Sequence, residues 1–352
     1  MAIIDKVFKA AIDNKASDVH IAPGEPFILR HLGTFIKLKS GTLSPDHTKK
    51  IIFEILDPQQ KKILMENLQI DFAYEVEGLG RFRGSAMMHN NGLSAVFRVI
   101  PPVIHTLEGL GMPEIVRKSL DNHQGLILVT GATGHGKSTT LAAMINYINM
   151  NRAHHVLTIE DPIEFVHPLK QCIVNQRQLL RDTFSYANAL KGALRQDPDV
   201  IMIGELRDLE TISLAISAAE TGHLVIGTLS TNSAPKTVDR IIDSFPPGEQ
   251  NQIRTMLSES LKAVITQRLL KGKTGDRMVL ALEILLGNLS VGNLIRDCKT
   301  FQIQSVMQMG KNIGMRLMDE SILELLEQEQ ISLDVAFANA SNTKLFKKYM
   351  TQ

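Results

Sequence analysis

The sequence predicts an α/β chain: a small α+β region, followed by a mainly parallel sheet with helices on both faces. Three observations carry this. Residues 126–130, 155–159, 200–203 and 223–229 are short apolar runs, the mark of strands buried on both faces. Helical stretches alternate with these runs. Before residue 100, short strand-like runs mix with helical ones, and Pro101 and Pro102 end that pattern.

Each element has its own signal. Ile4, Val7, Phe8, Ala11 and Ile12 share one helical face. Residues 17–21, 27–29 and 34–38 are short strands parted by Pro and Gly turns. Ser44-Pro45 and Asp57-Pro58 open helices, because proline is tolerated in a first turn. Residues 71–76, 80–86 and 93–100 are further strands. The expected division is 1–100 for the first domain, 101–113 for a linker and 114–352 for the second. From about residue 287 the pattern is helical, with Ile322, Leu325, Leu326 and Glu329 on one run.

Composition excludes several classes. The 38 basic and 37 acidic residues nearly cancel, so no global field draws the chain to nucleic acid. No apolar run has the length of a membrane span, and the start lacks a signal-peptide layout. The expectation is a cytoplasmic protein. Cys172 and Cys298 belong to no Cys-x-x-Cys pair, which leaves no support for a zinc site or a disulfide framework.

The strongest motif follows the strand 126–130. Gly131, Ala132, Thr133, Gly134, His135, Gly136, Lys137, Ser138 and Thr139 match the Walker A pattern and open a helix whose apolar face is Leu141, Met144, Ile145 and Ile148. Glycines let backbone N–H groups converge on phosphate, and the helix N-terminus adds a favourable dipole. Lys137 is expected to reach the β- and γ-phosphates of ATP, and Ser138 to ligate Mg2+. For His135 the expectation is a solvent-pointing side chain whose backbone does the binding.

Three strands end in polar groups. Residues 199–205 run apolar into Glu205, the Walker B arrangement, which makes Glu205 the candidate general base and a water-mediated Mg2+ partner. Residues 156–164 end in Glu160, Asp161 and Glu164. Two readings are open for Glu160 and Glu164: orienting water or metal, or pairing with arginine as structure. Residues 221–232 place His223 before a strand and Ser230 after it. A lone histidine there reads as structural on its own.

Together these segments resemble the secretion ATPase superfamily, and within it the type IV pilus retraction ATPases of the PilT/PilU type. Residues 17–21 are similar to the family's N-terminal signature, 158–167 to its Asp box, 204–208 to its Walker B segment and 221–224 to the start of its His box. Residues 239–243 and 256–261 continue the likeness. The resemblance implies an N-terminal PAS-like domain, a RecA-like P-loop ATPase core and a ring of six subunits powering pilus retraction. It makes His223 a γ-phosphate sensor, and Arg81, Arg83 and Arg98 phosphate-facing arginines, a task suited to a planar guanidinium fork. It also implies an inner-membrane platform protein as partner, a second retraction ATPase as a further one, and a station at the cytoplasmic face of the inner membrane.

The chain departs from the family pattern at Ala132 and His135 in the loop, at Gly84, at Ser230 where a second histidine is usual, and at Gly292 where arginine is usual. These departures make an accessory, weakly active subunit the alternative expectation. A nucleic-acid translocase ranks behind both, given the balanced charge.

Overall fold

The computed structural model describes residues 2–31, 33–275 and 277–349. Residues 1 and 350–352, which the expected division assigns to the two domains, lie outside the described residues. The chain forms two compact units, Met1–Val103 with Asp161–Val166, and Ile104–Glu160 with His167–Gln352.

The first unit comprises α1 (Ile3–Asp13), β1 (Asp18–Ile21), β2 (Ile28–His31), β3 (Thr34–Lys37), α2 (Pro45–Ile55), α3 (Pro58–Asn67), β4 (Gln69–Val76), β5 (Gly80–His89) and β6 (Gly92–Ile100). Its strands pair antiparallel in the order β3-β2-β1-β6-β5-β4. Of the expected apolar face of α1, Ile4, Val7, Phe8 and Ala11 are buried and Ile12 is half-buried, and Phe8 stacks on Phe82 with ring centroids 3.8 Å apart. Both proline-led helices start as expected. Ser44 accepts a hydrogen bond from the His47 N–H, and Asp57 and Gln60 form a reciprocal capping box.

The second unit comprises α4 (Glu114–Ser119), β7 (Gly125–Thr130), α5 (Lys137–Asn151), β8 (His155–Glu160), β9 (Ile173–Gln178), α6 (Tyr186–Ala193), β10 (Val200–Ile203), α7 (Leu209–Glu220), β11 (Leu224–Leu229), α8 (Ala234–Asp243), α9 (Gln250–Ser260), β12 (Leu261–Lys271), β13 (Met278–Leu286), α10 (Leu289–Arg296), α11 (Ile303–Met309), α12 (Met318–Glu327) and α13 (Leu333–Asn339). The strand order is β13-β12-β7-β11-β10-β8-β9, parallel except for β13.

Side chains alternate across a strand, so each continuous apolar run feeds two cores. Leu126 and Leu128 of β7 join the core with Ile201 and Ile203 of β10, while Ile127 and Val129 join the opposite one with Val200 and Met202. Part of the stretch read as a linker is core as well: Leu107 and Met112 are buried in the second unit. The last apolar run is shorter than expected, because α12 ends at Glu327 and Glu329 follows in the left-handed region.

Strands β9, β12 and β13 had no counterpart in the sequence expectations. In β12 the polar pair Thr266 and Gln267 interrupts an apolar run, yet both are buried. No helix among the described residues is long and apolar enough to cross a membrane.

Candidate nucleotide site

Parallel register brings the polar strand ends to one edge of the sheet. Thr130 of β7 pairs with Leu229 of β11, and Ile203 of β10 pairs with Gly227 of β11. The loop 131–136, Glu205 and Ser230 therefore leave the sheet on the same side, the carboxyl ends of the strands, where open α/β sheets take their ligands.

The loop conformation depends on glycine, with positive φ at Gly131, Gly134 and Gly136. Gly131 has φ +142°, and a Cβ there would stand 2.4 Å from the Gln267 carbonyl oxygen of β12. Gly134 has φ +83°, with open space where its side chain would be. Helix α5 then starts at Lys137, with Ser138 exposed and Thr139 half-buried in its first turn. No carboxylate occupies that turn, which leaves the positive end of the helix dipole to an anion. Lys137 Nζ reaches back over the loop and donates to the carbonyls of Gly131 (2.8 Å) and Ala132 (3.1 Å). Burial lowers the Lys137 pKa, and the negative charge of Glu205 opposes that shift.

Glu205 is held from two directions. Arg207 Nε donates to one carboxylate oxygen at 2.6 Å, and Ser230 Oγ donates to the other at 3.3 Å. The strand carrying it is clamped too, since Thr228 Oγ1 donates to the Gly204 carbonyl at 2.5 Å. Ser230, where the family usually has histidine, thus acts directly on the candidate base.

Glu160 ends β8 within the same unit and accepts from Thr158 Oγ1 (2.7 Å) and Gln176 Nε2 (3.0 Å). Glu164 belongs to the first unit, where Arg83 Nη1 donates to it at 2.9 Å. The structural pairing that was open for Glu164 is therefore present. Arg81 donates to the Ile163 carbonyl (3.0 Å) and to Glu75 (2.9 Å), and Arg98 to Asp18 (3.2 Å). Arg83 and Arg98 face each other across the β5–β6 register. The three arginines and Glu164 thus form one group on the first unit. The loop, Glu205 and Ser230 form another on the second.

Two expectations are corrected. His223 does not join the loop. It precedes β11 at the amino end of the sheet, where its carbonyl accepts from the Gly125 N–H and its Nδ1 lies 3.0 Å from the Ala218 carbonyl. The whole of β11 separates it from Ser230, about 20 Å of extended chain. His135 is half-buried against β12 rather than simply solvent-pointing. Its Nδ1 accepts the Leu269 N–H of β12 at 2.8 Å, and its carbonyl accepts from Gln267 Nε2, also at 2.8 Å.

Residues 1–275 match the family model described as type II/IV secretion system protein. The chain belongs to this family. A curated relative, the type IV pilus retraction ATPase PilT of Pseudomonas aeruginosa, is 49% identical, with 91% of this chain and 93% of the relative covered. The twitching motility protein of Neisseria gonorrhoeae is 48% identical, covering 97% of this chain and 91% of its own length. The crystal structure of the pilus retraction motor PilT with bound ADP matches with a TM-score of 0.88 at 43% identity, covering 99% of each chain. The RecA-like core with an N-terminal α+β unit is the fold of this family.

Proposed function

We propose that this chain is an ATP-hydrolysing motor subunit that drives type IV pilus retraction as a homo-hexamer. The observation that carries the reading is the convergence of a phosphate-ready loop with Glu205 at one sheet edge. The relatives' names and the likeness to an ADP-bound retraction motor support its direction. In this reading residues 1–100 are a PAS-like domain and 114–352 the motor core, and the expected linker 101–113 gives Leu107 and Met112 to the core of the second unit.

Residues 131–139 bind the ATP phosphates, and Lys137 exchanges its two loop carbonyls for phosphate oxygens. The exposed Ser138 hydroxyl, with the Glu205 carboxylate acting through water, is an oxygen donor set that fits Mg2+. When bound, that ion neutralises phosphate charge. Glu205 leaves Arg207 and accepts the proton of the attacking water. Glu160 stays with Thr158 and Gln176 and shapes the same edge. Arg81, Arg83 and Arg98 remain candidates for facing phosphate, and each would first have to leave its present carboxylate or carbonyl partner. Hydrolysis around the ring would then act on an inner-membrane platform protein from the cytoplasmic face.

The test is steady-state ATP hydrolysis by the purified chain. Glu205→Gln keeps the side-chain shape and removes the base, so kcat should fall about 10²–10⁴-fold. Equal rates would sink the assignment.

A second reading, an accessory subunit assisting a paralogous retraction ATPase, draws on Gly292. A Cβ there would meet the Ser258 carbonyl oxygen at 3.0 Å, so the helix motif where arginine is usual serves here as a close crossing of α10 on α9. Normal retraction in cells whose only retraction ATPase is this protein would exclude that reading.

A further inference from the structure

The family departure at His135 has a partner that makes it intelligible. Strand β12 outruns its neighbour: Thr266 pairs with Thr130, the last residue of β7, while β12 continues to Lys271. Beyond Thr130 the backbone of β12 on that side has no β7 partner, and an N–H left unpaired at the half-buried Leu269 would carry a desolvation cost. The loop supplies the substitutes. The Thr130 and Thr266 hydroxyls meet at 2.8 Å, Gly131 rests on the Gln267 carbonyl, the Gln267 amide donates to the His135 carbonyl, and the Leu269 N–H donates to His135 Nδ1.

We infer that His135 is a positioning residue whose imidazole stands in for a missing strand neighbour at Leu269 and so fixes loop 131–138 in its phosphate-binding form before nucleotide arrives. The inference rests on the nucleotide-binding reading given above. An imidazole can accept through Nδ1 only when that nitrogen carries no proton. The surroundings favour this state: burial first, then the positive charges of Arg268 on β12 and Lys137 on α5, lower the His135 pKa below the usual 6.5. The His135 imidazole acts on the loop's geometry, while its backbone stays part of the phosphate loop, so the effect of the side chain belongs to binding and not to the chemical step. Preorganised loops bind more tightly because less ordering remains to be done on association.

The experiment is ADP titration by calorimetry on the full chain, with steady-state ATPase kinetics beside it. In His135→Asn, the side-chain carbonyl takes a position close to that of the imidazole Nδ1 and can accept the same N–H. In His135→Leu, the acceptor is gone at similar bulk. His135→Leu should weaken ADP binding and raise KM by on the order of tenfold with kcat nearly unchanged. His135→Asn should stay within about threefold of the wild type in both. Should His135→Leu fail to fold, His135→Ala makes the same comparison. Wild-type affinity in the acceptor-less variant would overturn the inference, as would an asparagine variant as weak as the leucine one. A wild-type chain that binds no ADP at all would refute the nucleotide reading, and the inference with it.

Discussion

Replacing Gly131 with alanine tests whether β12 fixes the nucleotide loop by direct backbone contact. The added methyl would stand 2.4 Å from the Gln267 carbonyl oxygen, where ordinary contact begins at 3.4 Å, so roughly 1 Å of movement is demanded of a packed strand. That strand has little freedom to give. Thr266 is tied to Thr130, and the Gln267 amide is tied to the His135 carbonyl. Overpacking of this kind costs about 1–3 kcal/mol, and a non-glycine residue at φ +142° adds about 1–3 kcal/mol of strain. Gly134→Ala is the internal control: φ is +83° but nothing lies within 4 Å of the new Cβ, so strain of about 1–2 kcal/mol acts alone. For a unit of this size each kcal/mol moves Tm by about 2–4 °C. Differential scanning calorimetry should thus show Gly131→Ala melting about 4–24 °C below the wild type, and Gly134→Ala only about 2–8 °C below. ADP should restore less stability to Gly131→Ala than to the wild type. Equal melting temperatures for the two variants would refute the claim that β12 buttresses the loop.

Two further outcomes follow from buried and capping groups outside the loop. Glu283 of β13 is 4% exposed and accepts from the N–H groups of Ala234 and Met318, the first residues of α8 and α12. Glu283→Leu orphans both donors and Glu283→Gln only one, so denaturant unfolding should rank the leucine variant about 1–3 kcal/mol below the glutamine one. Burial raises the Glu283 pKa in the folded state. Its protonated form therefore favours folding, and this contribution is lost as pH rises from about 4.5 through the raised value, a slope that Glu283→Gln should remove. Asp208 caps α7, accepting from the Thr211 N–H at 2.9 Å and the Thr211 hydroxyl at 2.7 Å. Asp208→Ala should cost about 0.5–2 kcal/mol in the same assay, and an unchanged midpoint would show that the cap carries no stability.

Much of this molecule is legible in its sequence. The apolar runs at β7, β8, β10 and β11 mark buried parallel strands because strands covered on both faces need no polar alternation. The glycine spacing before Lys137 and Ser138 marks a phosphate loop because few other residues permit that backbone path. Glu205 stands out because an acid that ends an apolar strand faces the sheet's ligand edge. These signals are local, and local periodicity and turn chemistry are what a linear sequence displays.

What the tertiary structure alone decided depends on which strands become neighbours. Adjacency with β11 put Ser230 on Glu205, and the direction of β11 put His223 at the far end of the sheet. Adjacency with β12, more than a hundred residues away in the chain, turned His135 from an expected solvent-facing guest into an acceptor for the Leu269 N–H. No spacing within residues 131–139 can announce that bond, because its donor is a backbone group and every residue but proline has one. The loop's identity was therefore written in its own residues, whereas its buttressing was written only in the register of the strand beside it.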